Sequence, residues 1–218
     1  SKSLLSDLSK YKIESNISIR ILQTINSIGA KRNMGIKEAF AENIICIDDD
    51  CVPSKGFLRD HLEKLLDSSS KKTIFSGMVL FPEELCKSSN YYRFRNYRHR
   101  VYDRIYYTDE SIDFHNFITM NMSFKKSDLF ENNLFFDPEY THYGLEDTQF
   151  GLDAIRKGFN LKTCHAPIIH RESTSIDLFL IKIEKFTNNY FFKFYNKNEE
   201  YLNLRDAKKL NNQGLVSY

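Results

Sequence analysis

The sequence predicts an α/β fold in which helices flank a sheet. Residues 17–22 alternate between apolar and polar side chains as a strand does, residues 30–41 have helical apolar spacing, and residues 43–47 form a short apolar run. This order predicts a βαβ unit with a right-handed crossover. The apolar run, which we expect to be buried on both faces, leads directly into acidic residues 48–50. Unpaired carboxylates are costly to bury, so the acids should lie at the carboxyl edge of the sheet, where open α/β folds bind ligands.

The rest of the chain continues the alternation of strands and helices. The predicted elements are a helix at residues 57–66, a strand at 73–81 interrupted at Gly77, a strand at 117–124, a short helix at 126–130, a helix at 146–157 capped by Gly158, and a strand at 161–169. A further helix is predicted at residues 4–11, and helical spacing returns from residue 175. We therefore expect an α/β domain over residues 1–173 and a C-terminal helical extension over residues 174–218.

Composition excludes several classes of protein. The 218 residues include 31 basic and 29 acidic side chains, so the charge balance gives no case for a nucleic-acid partner. The four cysteines are far apart and form no Cys-x-x-Cys pair, which indicates reduced thiols in a cytoplasmic protein. No apolar run approaches the ~20 residues that span a bilayer, and no signal peptide is visible.

Four motifs follow one another along the chain. They are Gly-Ala-Lys-Arg-Asn-Met-Gly at residues 29–35, the acidic triplet, Asn-Met-Ser-Phe at 121–124, and Gly-Leu-Glu-Asp-Thr at 144–148 followed by His170. Their order resembles the family 2 glycosyltransferases, particularly those similar to capsule and chondroitin-type polymerases and to galactosyltransferase C-terminal segments. The resemblance covers residues 17–172 and implies the GT-A fold, a Rossmann-like mixed sheet flanked by helices. Such domains begin with two strands before the one predicted at 17–22, and we expect this chain, which starts at Ser1, to lack them.

The resemblance gives the acidic triplet the role of a DxD motif, which binds a divalent metal and a nucleotide-sugar donor. It makes Asp50 a metal ligand, with Asp48 and Asp49 meeting the nucleoside or the sugar, although three consecutive carboxylates leave this register open by one position. It makes His170 a second metal ligand. The metal, Mn²⁺ or Mg²⁺, would neutralise the charge that develops on a departing diphosphate. Taken alone, the triplet also fits a solvated acidic turn, and His170 an exposed strand end.

Glu146 and Asp147 open a predicted helix, where the helix dipole stabilises anions. The resemblance makes Asp147 the general base that deprotonates the acceptor hydroxyl, and it places Glu146 against the acceptor or donor sugar; this implies inversion at the anomeric carbon. Without the resemblance, the two acids fit ordinary capping of a helix N-terminus. Leu145 stands where many relatives have a second glycine, which leaves the acceptor class open.

The resemblance also implies further donor-binding residues. Arg32 and Asn33 lie near the start of the helix predicted at residues 30–41, where a cation and a helix N-terminus attract phosphate. The resemblance places both beside the nucleotide. Asn121 and Ser123 are placed at the donor sugar, and Gly144 beside the donor. A surface arginine and an ordinary buried strand are the structural alternatives for Arg32 and for the Asn121 strand.

Residues 91–107 are dense in arginine and tyrosine and contain a single acid, Asp103. The favoured interpretation is a solvated helix face with tyrosines packed inward. The functional alternative is a surface that binds the acceptor or an anionic membrane.

These observations together predict a glycosyltransferase of the hexosyltransferase type. We expect a metal-dependent, inverting transfer from a nucleotide-sugar, a UDP-sugar in preference, to a saccharide, glycolipid or peptide acceptor. We expect the protein in the cytoplasm, with peripheral contact at the inner membrane face. Two alternatives stay open: a non-catalytic domain of the same fold that binds a sugar or a partner, and a nucleotidyltransferase. The latter should carry a glycine-rich phosphate loop, and none is clear in the sequence.

Overall fold

The computed structural model describes residues 17–67, 71–100, 111–141, 144–172 and 174–199. The helix predicted at residues 4–11 and the segment 101–110 lie outside these ranges. Among the helices that are described, none is long and apolar enough to cross a membrane.

Strands and helices alternate along the described chain much as predicted. The strands are β1 (Asn43–Ile47), β2 (Cys51–Pro53), β3 (Thr73–Leu80), β4 (Asn121–Lys125) and β5 (Asn160–His170). The helices are α1 (Ile28–Glu38), α2 (Phe57–Leu66), α3 (Glu83–Ser88), α4 (Asn90–Arg100), α5 (Lys126–Glu131), α6 (Glu146–Arg156), α7 (Ile176–Phe186) and α8 (Phe192–Lys197), and a π-helical turn, Thr187–Phe191, joins the last two.

The strands form one mixed sheet in the order β1-β4-β3-β5-β2. β3 pairs with β5 in parallel, and the other neighbours pair antiparallel. The expected α/β class, with a mixed sheet and flanking helices, is confirmed.

The prediction of a strand at residues 17–22 is wrong, and so is the prediction of a βαβ unit that depends on it. Residues 17–25 belong to no helix or strand, and side chains such as Ile17 and Ile19 are exposed. Arg20 instead ties the segment to α1 through an ion pair of 2.8 Å with Glu38. Alternating side chains satisfy one requirement of a strand, but a strand also needs hydrogen-bonding partners along its backbone. The described strand beside β1 is β4, which supplies those bonds in antiparallel register.

β1 is covered on both faces but lies at the edge of the described sheet. Ile44 and Cys46 pack against one cluster of buried side chains, and Ile45 packs against a second cluster on the opposite face. Ile47, at the end of the strand, remains 40% exposed. Both faces of β1 are therefore packed as expected, but one edge of the strand has no neighbouring strand in the described sheet.

The two clusters of buried side chains lie on opposite faces of the sheet. Successive residues of a strand point to opposite faces, and on β3 Ile74 joins the larger cluster while Phe75 joins the smaller. The larger cluster is rich in aromatic rings, with Phe136 stacked on Phe150 at a centroid distance of 4.2 Å. Helix α2 supplies Phe57, among others, to the smaller cluster.

The helical segment after β5 packs on the same core. Tyr190, in the π-helical turn, and Phe194, in α8, are buried members of the larger cluster. The Tyr190 ring lies 5.4 Å from that of Tyr140. Helix formation after residue 175 is thus confirmed, and the described part of the predicted extension shares its core with the sheet.

A buried polar network links α2 to the centre of the sheet. His61 Nδ1 lies 2.8 Å from Ser123 Oγ, and His61 Nε2 lies 2.9 Å from Asn121 Oδ1. Asn121 Nδ2 donates to the carbonyls of Met78 and Ala166 over 3.1 and 2.7 Å, which joins β3 to β5. Burial lowers the pKa of His61, although the hydrogen bond to Asn121 opposes the shift.

Gly77 leaves the space that the Asn121 side chain fills. The register of β3 against β5 shifts between Gly77 and Val79, and a Cβ at position 77 would overlap the Asn121 amide. The interruption predicted at Gly77 is therefore an irregularity inside one continuous strand.

We predict that Gly77→Ala destabilises the protein by about 1–3 kcal/mol, the usual cost of overpacking a core. The Asn121 amide cannot move away without losing buried hydrogen bonds. Gly35→Ala is the matched control, because a Cβ at this exposed position of α1 meets nothing within 4 Å. The control should raise stability by up to about 1 kcal/mol, since alanine favours a helix. Equal free energies of unfolding for Gly77→Ala and wild type, measured by urea denaturation, would show that Asn121 is not fixed in place.

Candidate functional site

The C-terminal ends of three strands lie at one edge of the sheet. β1 and β3 both run antiparallel to β4, and β5 runs parallel to β3, so β1, β3 and β5 point the same way. The acidic triplet follows β1 at this edge, and His170 ends β5 there. A cleft of about 500 Å³ opens beside them. Seven of the residues predicted from the sequence line this cleft: Arg32, Asp48, Asp50, Gly144, Glu146, Asp147 and His170.

The acidic triplet forms a tight turn between β1 and β2. The Cys51 amide donates to the Asp48 carbonyl over 3.2 Å, and the Asp48 amide donates to the Met120 carbonyl over 3.2 Å. Asp48 and Asp50 line the cleft, whereas Asp49 between them is exposed and is not among the lining residues. The two carboxylates at the cleft therefore have the one-residue spacing of a DxD motif.

The end of β5 brings His170 against this turn. β2 pairs antiparallel with β5, so that Cys51 lies directly opposite His170, and the Arg171 amide donates to the Asp50 carbonyl over 2.8 Å. Asp50 Oδ2 lies 3.0 Å from His170 Nε2. The ligand atoms of Asp50, Cys51 and His170 all lie within 4.8 Å of one another. These three residues form a candidate metal centre, and its thiol was not assigned from the sequence.

Burial raises the pKa of the Cys51 thiol to about 12, and the negative charges of Asp50 and Asp48 add to the shift. The thiol is therefore protonated at neutral pH when no cation is near. The carboxylates that raise this pKa are the groups that would attract a divalent cation.

Arg32 joins the acidic turn to the start of α6. Its Nη2 donates to Asp48 Oδ1 over 2.8 Å, and its Nη1 donates to Asp147 Oδ1 over 3.2 Å. The side chain is 10% exposed, and its guanidinium carbon lies 5.4 Å from the centre of the Phe136 ring. Because the two carboxylates are 99 residues apart in sequence (147 − 48), this one side chain connects distant halves of the cleft.

The backbone before α6 is left-handed at two successive residues. Gly144 has φ of 115°, and Leu145, the N-cap of α6, has φ of 65°. A Cβ at Gly144 would lie 2.5 Å from the Phe186 ring of α7, so only glycine lets α7 approach this closely. A left-handed leucine carries strain of order 1–3 kcal/mol. Glycine at position 145 would adopt this conformation without that strain.

Asp147 is held by three donors. The Thr119 amide donates to Asp147 Oδ2 over 3.3 Å, the Thr119 hydroxyl donates to Oδ1, and Arg32 donates to the same oxygen. The Asp147 side chain remains 27% exposed at the cleft. The carboxylate is thus oriented and accessible. Thr119 had no signal in the sequence, because its role depends on the position of α6.

Glu146 is buried beside Asp147 and has an unusual protonation equilibrium. Its Oε2 accepts a hydrogen bond of 2.7 Å from the Gly144 amide. Burial raises the pKa of Glu146 to about 7, with a further contribution from the charge of Asp147, while Arg32 opposes the shift. Glu146 can therefore change its charge near neutral pH.

Four of the predicted donor-binding residues are not among those that line the cleft. Asn33 is engaged with the backbone of Phe136, donating to its carbonyl and accepting from its amide at 2.9 Å each. Asn121 and Ser123 are fully buried in the network with His61, beneath the surface that a donor could reach. Asp49 points to solvent beside the cleft. The side chains of Asn33, Asn121 and Ser123 already form hydrogen bonds with the backbone or with buried side chains.

The opposite wall of the cleft comes from α4 and α7. Arg95 of α4 is 9% exposed and forms an ion pair of 3.1 Å with Glu172, and its guanidinium carbon lies 5.4 Å from the ring centres of Phe81 and Phe179. Arg95, Glu172 and Phe179 all line the cleft. In the segment predicted as a solvated face, tyrosines 91 and 92 are packed inward as expected, but Arg95 is buried as well.

Comparison with known proteins identifies the family. The model of the family described as glycosyl transferase family 2 matches residues 1–129. This chain belongs to glycosyl transferase family 2. Family 2 membership confirms the resemblance seen in the motifs and agrees with the GT-A class expected for the sheet. No curated protein matches the chain.

Among solved structures, the chain is similar to residues 1–349 of S. aureus TarS in complex with UDP-GlcNAc. The TM-score is 0.47, the sequence identity is 16%, and the match covers 80% of this family 2 chain and 49% of the TarS chain. The chain therefore spans about half the length of that structure.

We predict that Glu146→Gln stabilises the protein at alkaline pH. The folded-state pKa of about 7 lies above the ordinary value of 4.5, so the folded form holds a proton that the unfolded chain releases. The free energy of unfolding therefore falls as pH rises from ~4.5 through ~7, because Glu146 ionises more readily in the unfolded chain. It stays lower above that range. Glutamine keeps an oxygen that accepts from the Gly144 amide and cannot ionise. Relative to wild type, the gain at about pH 8 should be on the order of 1–3 kcal/mol and should vanish near pH 4.

Denaturant unfolding of both proteins at several pH values measures this difference. Glu63→Gln, at an exposed position of α2, is the control and should change stability by less than about 0.5 kcal/mol throughout. A Glu146→Gln protein that is no more stable than wild type at alkaline pH would show that Glu146 is not desolvated as described.

Proposed function

We propose that this family 2 chain is a metal-dependent, inverting glycosyltransferase of the hexosyltransferase type. It transfers a sugar from a nucleotide-sugar, a UDP-sugar in preference, to a saccharide, glycolipid or peptide acceptor. The observation that carries the proposal is the convergence of two acid pairs on one cleft. Asp48 and Asp50 meet Glu146 and Asp147 there, with Arg32 between the pairs.

The residues of the acidic turn and the end of β5 fit a divalent metal, Mn²⁺ or Mg²⁺. Asp50 offers a carboxylate, and His170 offers an imidazole that is more than nine-tenths buried. His170 Nδ1 has no hydrogen-bond partner among the described residues, and Nε2 faces the Asp50 carboxylate. A bound metal would act as a Lewis acid on the diphosphate leaving group. Asp50 and His170 would hold it at the carboxyl edge of the sheet.

Asp48, Arg32 and Gly144 form the proposed donor side. Asp48 faces the cleft and is held by the Arg32 guanidinium at 2.8 Å, which keeps a cation where phosphate oxygens would arrive. The Gly144 amide and the N-terminus of α6 lie across the cleft. Asp49, exposed beside the turn, remains a proposed contact of the nucleoside, whereas Asn33, Asn121 and Ser123 would act by supporting the walls.

Asp147 is the proposed general base. Direct displacement at the anomeric carbon needs a carboxylate that takes the proton of the attacking hydroxyl. Thr119 and Arg32 fix the orientation of Asp147 while leaving it open to the cleft. Glu146, beside it, would bind the acceptor or the donor sugar through its buried carboxyl group.

The acceptor side is proposed to be the wall formed by α7. Phe179, Ile183 and Phe186 give it an apolar surface, and Lys182 adds a cation. Leu178 and Leu180 of the same helix are more than half exposed to solvent. This surface suits a glycolipid acceptor, and it supports a cytoplasmic enzyme that makes peripheral contact with the inner membrane face.

We predict that the chain releases nucleoside diphosphate from one of a panel of UDP- and GDP-sugars when Mn²⁺ and a mixture of saccharide acceptors are present. Asp147→Asn should lower kcat by ~10²–10⁴-fold, the usual contribution of a general base. Asp50→Ala should abolish turnover at low Mn²⁺ concentrations. Glu63→Gln, at an exposed position of α2 that does not line the cleft, is the control and should keep wild-type turnover.

Chelation by EDTA should stop the release, and added Mn²⁺ should restore it. Wild-type turnover in both Asp50→Ala and Asp147→Asn would contradict the site assignment. Donor binding without release by the wild-type protein would favour the non-catalytic alternative, and transfer of a nucleotidyl group would favour the nucleotidyltransferase.

A further inference from the structure

We propose that Cys51 is a third protein ligand of the metal, so that the site is an aspartate-cysteine-histidine centre rather than one with oxygen and nitrogen ligands alone. The inference rests on the metal site of the proposed function and goes beyond it. It predicts a preference for ions that accept sulfur, such as Co²⁺ and Zn²⁺, over Mg²⁺.

Backbone geometry brings the three side chains together. Directly opposite residues of paired antiparallel strands have their side chains on one face, with Cβ atoms about 5 Å apart. Cys51 and His170 are such a pair between β2 and β5. Asp50 precedes Cys51 in the tight turn, and its carbonyl accepts from the Arg171 amide over 2.8 Å. This hydrogen bond ties Asp50 in the turn to the residue that follows His170.

The side-chain atoms already lie close enough to share one ion. The Asp50 carboxylate contacts both neighbours, with Oδ2 at 3.0 Å from His170 Nε2 and Oδ1 at 3.6 Å from Cys51 Sγ. One ligand atom from each residue fits within a span of 4.8 Å. Small adjustments of rotamers would bring all three to coordination distance of an ion between them.

His170 is the most buried of the three candidate ligands. Its side chain is 7% exposed, and its Nδ1 has no hydrogen-bond partner in the described part of the chain. A buried polar atom without a partner costs about 1–3 kcal/mol. Its ring packs on Phe81 at 5.4 Å between centroids, which limits its movement. The imidazole is thus fixed beside a carboxylate and a thiol, and these three are the ligand types that Zn²⁺ and Co²⁺ bind in proteins.

The Cys51 thiol loses its proton when its sulfur coordinates the metal. The bond from Cys51 Sγ to the metal forms as the S–H bond breaks, and the proton passes to solvent. A divalent ion supplies the positive charge that stabilises the thiolate. Mg²⁺, which favours oxygen ligands in octahedral geometry, gains little from such a sulfur atom.

The test is a titration of the full metal-free chain with Co²⁺, in buffer with a phosphine reductant in place of added thiols. Wild type should develop the near-ultraviolet charge-transfer band of a thiolate bound to Co²⁺. Cys51→Ser should lack the band and bind Co²⁺ at least about tenfold more weakly, since losing even an outer-shell partner of a metal typically costs ~10–100-fold. Cys86→Ser is the matched control, because this half-buried cysteine of α3 is absent from the candidate centre, and it should behave as wild type.

A measurement on the wild-type chain covers the case in which Cys51→Ser fails to fold. X-ray absorption of the Zn²⁺-loaded protein should show one sulfur neighbour at ~2.3 Å. The proposal is overturned if Cys51→Ser keeps the band at wild-type intensity, or if the Zn²⁺ spectrum contains no sulfur neighbour. If the band and its loss appear as expected but no nucleotide-sugar is turned over, the ligand assignment stands and the proposed function fails.

Discussion

The bridge from Arg32 to Asp48 and Asp147 is the interaction on which the cleft depends. It joins the turn after β1 to the N-terminus of α6, and its guanidinium is nearly buried over the Phe136 ring. Without the arginine, two carboxylates would face each other across a partly desolvated cleft. Removing one member of a buried charge group commonly costs 3–5 kcal/mol for this reason, although the partial exposure of both aspartates reduces the cost here.

The order of the strands supplies the other half of the cleft. Because β5 runs parallel to β3 and β2 returns antiparallel beside β5, the last residue of β5 meets the residue that begins β2. His170 is brought to the acidic turn by this pairing, 120 residues away from Asp50 in sequence. The same edge receives the start of β4, where Thr119 fixes Asp147. The fold thus brings together the proposed metal ligands, the proposed base and the arginine from four separate segments.

Local signals predicted the elements well, and long-range contacts account for most of the failures. The strong apolar spacing of α2 and the apolar run of β1 needed no tertiary information, and the motif order pointed to family 2. Residues 17–22 alternate as a strand does, but no pattern within them could show that β1 would pair with β4 instead. Asn121 and Ser123 are polar residues in a segment that the sequence predicts as a strand. Their burial is explained by the position of His61, to which both side chains bond. Cys51 shows no metal-ligand spacing in sequence, because its partner lies across a strand pair.

The proposed function requires a metal-dependent donor site between the acidic turn and the end of β5. Anomalous diffraction at the manganese edge, from crystals of the protein grown with UDP and Mn²⁺, tests it most directly. We expect one strong peak bonded to Asp50 and His170, with the diphosphate beside it and near Arg32. A nucleotide bound elsewhere, or a manganese peak that contacts neither residue, would contradict it.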